Sequence, residues 1–262
     1  MAAFPTNTDL LFWSTSQRDA AFRALDRLPF LAKHRVVPAG DTASALPPGA
    51  PLALPLDIDA YMQGQRSAAL MVLHNGQVRL ERYGLDFDSE GRWTSFSVAK
   101  SLTSTLVGMA VRDGHIQSMD DKVSDYIVEM KGSAYDEVSI RQLLTMTSGV
   151  AWNEDYDDPK SDVTQFNNHK PKGGEDAVVS YLRQLPRAVP AGTRWLYSTG
   201  ETNLVGVLVA RATKKTLSDY FSHLYAAGHL HGLAGFGYLH GADLHHDAHR
   251  AIFLSLGPIL GF

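Results

Sequence analysis

Apolar and polar positions change rhythm most sharply around residue 75. Residues 68–74 form an apolar run, Asn75-Gly76 suits a two-residue turn with left-handed backbone, and Gln77-Val78-Arg79-Leu80-Glu81-Arg82-Tyr83 alternates. This pattern predicts a β-hairpin. Past Ser97 the period lengthens: Leu102, Leu106, Met109 and Ala110 recur at helical spacing as far as Arg112, with Gly114 as the stop. A helix with a buried face and a polar start follows.

Elsewhere the signals are shorter. The spacing predicts an amphipathic helix over 10–30, and Pro47, Pro48 and Pro51 make 38–55 an extended connector. Asp120-Asp121 caps a short segment to Tyr126, and Ser139 caps a helix over 140–146 that stops at Ser148-Gly149. The acidic stretch 153–172 reads as a long surface loop, and a helix follows from about 175 to 184. Pro190-Ala191-Gly192 turns the chain, and a helical pattern resumes over 204–213. Tyr197 therefore falls on a connection between helices.

The chain has 262 residues, 44% of them hydrophobic, enough for a substantial core. A formal charge of -4 with no basic patch gives no electrostatic reason for nucleic acid or an anionic membrane as partner. Without cysteine there are no disulfides and no thiolate metal sites. The first residues lack a basic segment leading into an apolar run, and no stretch is long enough to span a bilayer, so the reading favours the cytoplasm.

Ser97-Val98-Ala99-Lys100 sets a hydroxyl and an amine three residues apart at the start of a helix, on one face. If burial keeps part of the lysine neutral, its amine takes the serine proton, and the helix N-terminus favours the anion that develops. The structural alternative is a capped helix whose lysine is solvated, since this spacing arises about once by chance in a chain of this length. Tyr197 alone reads more often as a packed aromatic with a bonded hydroxyl than as a site residue.

Taken together, Ser97-Val98-Ala99-Lys100, Leu143-Leu144-Thr145-Met146-Thr147-Ser148-Gly149 and Pro190-Ala191-Gly192 leading to Tyr197-Ser198 resemble the serine β-lactamase-related family. The likeness spans roughly 70–221. It leans to the class C-like branch of esterases and 6-aminohexanoate-dimer hydrolases, to which Trp152-Asn153-Glu154-Asp155-Tyr156-Asp157-Asp158-Pro159 adds. The resemblance implies an α+β or α/β, β-lactamase-like fold: an antiparallel sheet flanked by helices, with a mainly helical subdomain. It also implies that Ser97 attacks an acyl carbonyl, Lys100 removes its proton, and Tyr197 relays protons to the leaving group and later activates water. No metal or organic cofactor is implied. Thr199 stands where the family often carries the asparagine that contacts a β-lactam side chain, so a small ester or linear amide is the expected substrate.

Two departures qualify this expectation. The family's Lys/His-x-Gly segment does not occur between Thr199 and Phe262, and Lys172-Gly173-Gly174 precedes Tyr197 and reads as a chance match. After 221 the composition turns to histidine and glycine, which divides the chain into 1–55, a hydrolase region 56–221, and an atypical tail 222–262, with the C-terminal strands expected to be missing. His245 and His249 at helical spacing, with His229-x-His231, offer a metal alternative; the reading adopted is a truncated or frame-shifted C-terminus, whose histidines are solvated or fortuitous. Two functions are carried forward: a serine hydrolase, and a catalytically impaired relic or non-catalytic ligand-binding module.

Overall fold

A computed structural model describes residues 4–7, 10, 12–28, 35–38, 46–226 and 250–253. The chain divides into two compact units, residues 1–95 with 221–254 and residues 96–220 with 255–262.

In the first unit the helix expected over 10–30 is confined to α1 (Thr15–Ala21), followed by a short 3-10 turn at Leu25–Arg27. Ser14 sets the start: its side chain accepts from the Gln17 amide while the Gln17 side chain accepts from the Ser14 amide, a reciprocal capping box. Strand β1 (Arg35–Pro38) pairs antiparallel with Arg250–Phe253. Helix α2 (Ile58–Gln65), which the sequence pattern did not single out, starts on Asp57, whose carboxylate accepts from the Ala60 amide at 3.0 Å.

The predicted hairpin is present as β2 (Ala69–His74) and β3 (Gln77–Tyr83), in register from Ala69 opposite Tyr83 to His74 opposite Gln77. Asn75 and Gly76 take the positive φ values, 52° and 71°, that this turn requires. Part of the expected connector does structural work. The Gly49 amide donates to the Val78 carbonyl, the Val78 amide to Pro47 and the Leu52 amide to Arg79, so residues 47–52 run beside β3. Trp13, Phe22, Phe87 and Trp93 form a chain of tilted and edge-to-face ring contacts.

The second unit is mainly helical. A 3-10 turn at Phe96–Val98 opens into α3 (Ala99–Arg112), which buries Leu102, Leu106, Val107, Met109 and Ala110. Then come α4 (Val123–Tyr126), α5 (Ile140–Leu144), α6 (Asp162–Asn168), α7 (Ala177–Leu182) and α8 (Thr199–Thr213), and the division between the units falls within α9 (Leu217–Ala226). Helix α8 packs against α3, α4, α5, α6 and α7. Its buried Leu204, Val205, Val207, Leu208 and Val209 make it the axis of the core.

Three details differ from the pattern. The cap before α4 is Lys122, whose amide donates to Asp125, while Asp121 accepts instead from the Ser118 amide and the Tyr126 hydroxyl. The stretch expected as loop contains α6, because Ser161 accepts from the Thr164 amide and Val163 and Phe166 are buried, Phe166 against Trp152 and Tyr181. Helix α8 begins five residues before Leu204, capped by Ser198.

Gly149 follows α5 with φ 74°, and its carbonyl accepts from both the Ala188 and Val189 amides. A Cβ at this position would run into the Val189 carbonyl oxygen. Gly149→Ala is therefore expected to cost on the order of 3 kcal/mol, from backbone strain plus the collision. Urea unfolding checks this; a midpoint equal to that of the parent chain would contradict it.

Candidate active site

Ser97 occupies the 3-10 turn that leads into α3, directly after Phe96, whose φ of 43° is rare for a residue with a side chain. Lys100 lies one turn further on, and its Nζ donates to Ser97 Oγ at 3.1 Å. From a point 100 residues along the chain, the Tyr197 hydroxyl donates to the same Oγ at 3.0 Å. Lys100 Nζ also stands 5.3 Å from the centre of the Tyr197 ring. The structure thus brings together all three residues singled out in the sequence. It leaves Ser97 exposed and Lys100 only half-buried, so the enclosure asked of the lysine is partial.

The second motif explains why Tyr197 arrives there. After α5 the chain turns at Met146, φ 54°, and the Met146 carbonyl accepts from the Leu196 amide at 2.9 Å. The Thr147 carbonyl accepts from the Gly192 amide at 2.7 Å. These bonds hold the segment that carries Tyr197, and Ser198 then caps α8 by accepting from the Glu201 amide at 3.2 Å.

Two carboxylates that the sequence reading did not single out as site residues brace this junction. Glu154 accepts from the Thr199 amide at 2.9 Å, the Thr199 hydroxyl, the Trp152 indole N–H and the Tyr156 hydroxyl at 2.7 Å. Burial, and then the bond to Glu154, push the Tyr156 hydroxyl well above the usual tyrosine range. Thr199 is thus tied to Glu154 through both its amide and its hydroxyl.

The other carboxylate is Glu201, in the first turn of α8 and only 3% exposed. Its Oε1 accepts from the Ser148 hydroxyl and, at a long 3.5 Å, from the Tyr135 hydroxyl; Oε2 is buried without a hydrogen-bond partner. Burial raises its carboxyl to about 7, against the opposing pull of the Ser148 and Tyr135 donors. The signal was there: a lone acid four residues past Tyr197, leading into the apolar run 204–209.

Lys172-Gly173-Gly174 lies in the turns between α6 and α7. Among the described residues no group of three or more His, Asp or Glu side chains is placed to hold a metal ion, and no helix is long and apolar enough to cross a membrane. His229, His231, His245 and His249 lie outside the described residues.

A sequence model of the β-lactamase family matches residues 56–227, well over half of the chain. The chain belongs to this serine β-lactamase-related family, and its fold is β-lactamase-like. Among its relatives, the 6-aminohexanoate-dimer hydrolase of Paenarthrobacter ureafaciens is 33% identical over 161 residues, covering 60% of this chain and 41% of that protein. A β-lactamase of Pseudomonas fluorescens is 29% identical over 164 residues, covering 59% and 42%. A solved structure from Bacillus anthracis, provisionally described as a 6-aminohexanoate-dimer hydrolase, superposes with a TM-score of 0.67 at 16% identity, over 80% of this chain and 58% of that one. The chain spans about two fifths of the length of the curated relatives it matches.

Glu201 makes stability depend on pH. Its carboxyl is raised from 4.5 to about 7 in the fold. Below pH 4.5 both states hold the proton; between there and about pH 7 only the folded state does, so stability falls as pH rises. The fall attributable to this group is on the order of 3 kcal/mol. Urea unfolding of the parent and Glu201→Gln between these pH values should show a steeper decline in the parent; parallel slopes would contradict the assignment.

Proposed function

We propose that this chain carries the nucleophilic half of a serine hydrolase that opens a small ester or linear amide through an acyl-enzyme. The observation behind this reading is the convergence of Lys100 Nζ and Tyr197 Oη, at 3.1 Å and 3.0 Å, on Ser97 Oγ. A neutral Lys100 takes the Ser97 proton as Oγ attacks the acyl carbonyl. The negative charge that builds on the carbonyl oxygen is favoured at the N-terminal end of α3. Tyr197, with Lys100 over its ring, passes the proton to the leaving alcohol or amine. In the second half, the same pair removes a proton from water, which attacks the acyl carbon and frees Ser97.

The substrate class rests on two features. Ser97 is open to solvent. The Thr199 hydroxyl is engaged by Glu154, and threonine offers no side-chain amide to a β-lactam. The name of the Paenarthrobacter ureafaciens relative, a hydrolase of a 6-aminohexanoate dimer, accords with a linear substrate.

A second reading, a chain that binds such a substrate without turning it over, is favoured by the exposure of Ser97 and the partial burial of Lys100. Hydrolysis of p-nitrophenyl acetate and butyrate separates the two. The hydrolase reading predicts measurable release that Ser97→Ala abolishes, Lys100→Ala lowers about 100-fold to 10,000-fold, and Tyr197→Phe lowers at least about 100-fold. Release that survives Ser97→Ala unchanged would contradict it.

A further inference from the structure

We infer that Glu201 is a positioning residue for Tyr197: its buried carboxyl closes a ring of contacts that fixes where the tyrosine hydroxyl meets Ser97. The inference rests on the reading of Tyr197 given above. The ring is continuous on the bonds of the structure. Tyr197 is followed by Ser198, whose Oγ accepts from the Glu201 amide at 3.2 Å. The Glu201 carboxyl accepts from the Ser148 hydroxyl. Two residues before Ser148, the Met146 carbonyl accepts from the Leu196 amide, which returns the path to Tyr197. Ser148 Oγ in turn accepts from the Val150 amide at 3.0 Å, so a movement of the carboxyl is felt on both sides of Gly149.

The burial of this carboxyl is costly. One oxygen has no donor, and an ionised carboxylate in such a place draws water or opens its surroundings. The groups that face it are Ser148 and Tyr135, and behind them Arg187, whose guanidinium donates to the Ser148 and Ala134 carbonyls, and Asp162, which acts on Tyr135. Burial raises the Glu201 carboxyl, and among the described residues Ser148 and Tyr135 are the groups that oppose it. Ionisation strengthens the Ser148 and Tyr135 bonds but leaves Oε2 charged without a donor, and water drawn to that oxygen displaces the ring, and the tyrosine with it.

The test follows Tyr197 directly, without relying on activity. In the full chain carrying carbon-labelled tyrosine rings, the Tyr197 resonance, assigned by its loss in Tyr197→Phe, should shift with a midpoint near pH 7 in the parent, and this step should vanish in Glu201→Gln. Glu201→Gln keeps the shape, so it serves even if Glu201→Ala fails to fold. In parallel, the ratio of kcat for the parent over Glu201→Gln on p-nitrophenyl butyrate should fall at least about 3-fold as pH rises through 7, with KM within about 2-fold. A Tyr197 resonance with no step near neutral pH, or one that persists in Glu201→Gln, overturns the inference. A step that depends on Glu201 in a chain whose ester cleavage ignores Ser97→Ala would keep the positioning role and refute the serine reading.

Discussion

The arrangement depends on one constraint: the Tyr197 hydroxyl must reach, across 100 residues of chain, the oxygen that Lys100 touches from one helical turn away. The Ser97–Lys100 pair is local and comes with α3. The tyrosine has to be delivered, and much of the second unit serves that delivery. Helix α8, packed by five other helices, gives a fixed platform, and Tyr197 sits one residue before its cap. The Met146 and Thr147 carbonyls pin the approaching segment from the other side. A shift of about 1 Å at either anchor would take the hydroxyl out of hydrogen-bond range.

Two carboxylates work at this junction in different ways. Glu154 is fully engaged, with four donors from Trp152, Tyr156 and Thr199. Such a carboxylate is a rigid bracket. Glu201 is under-engaged, with one oxygen left without a donor and its carboxyl raised to about 7. It holds the same region through a bond whose strength changes with protonation. Thr199 and Glu201, two residues apart, thus connect the start of α8 to a fixed support and to a titrating one.

How much of this was legible in the sequence follows from how local each signal is. The hairpin was readable because Asn75-Gly76 encodes its own turn, and α3 because its apolar spacing is long and ends in Gly114. Ser97, Lys100 and Tyr197 came from motif order. Helices α2 and α6 were missed because short helices owe their stability to packing that no window of sequence displays. The first turn of α8 was missed because Thr199, Gly200, Thr202 and Asn203 are poor helix formers. Gly200 is needed there, since a Cβ would press into Leu182 and the Trp152 ring. The length assigned to α1 failed for the opposite reason: apolar spacing continued past the point where Ser14 and Gln17 had already fixed the start and Phe22 the end. Glu201 left only the faint trace of an acid leading into an apolar run.

Membership in the serine β-lactamase-related family gives a class of chemistry, while the geometry around Ser97 Oγ gives a specific claim: this hydroxyl is activated by its neighbours. The most direct measurement is intact-protein mass spectrometry with peptide mapping after exposure of the folded chain to a fluorophosphonate. The account predicts a single adduct, on the peptide that contains Ser97, formed far more slowly when Lys100 is replaced by alanine. No adduct on a folded chain, or an adduct on a different residue, would contradict it.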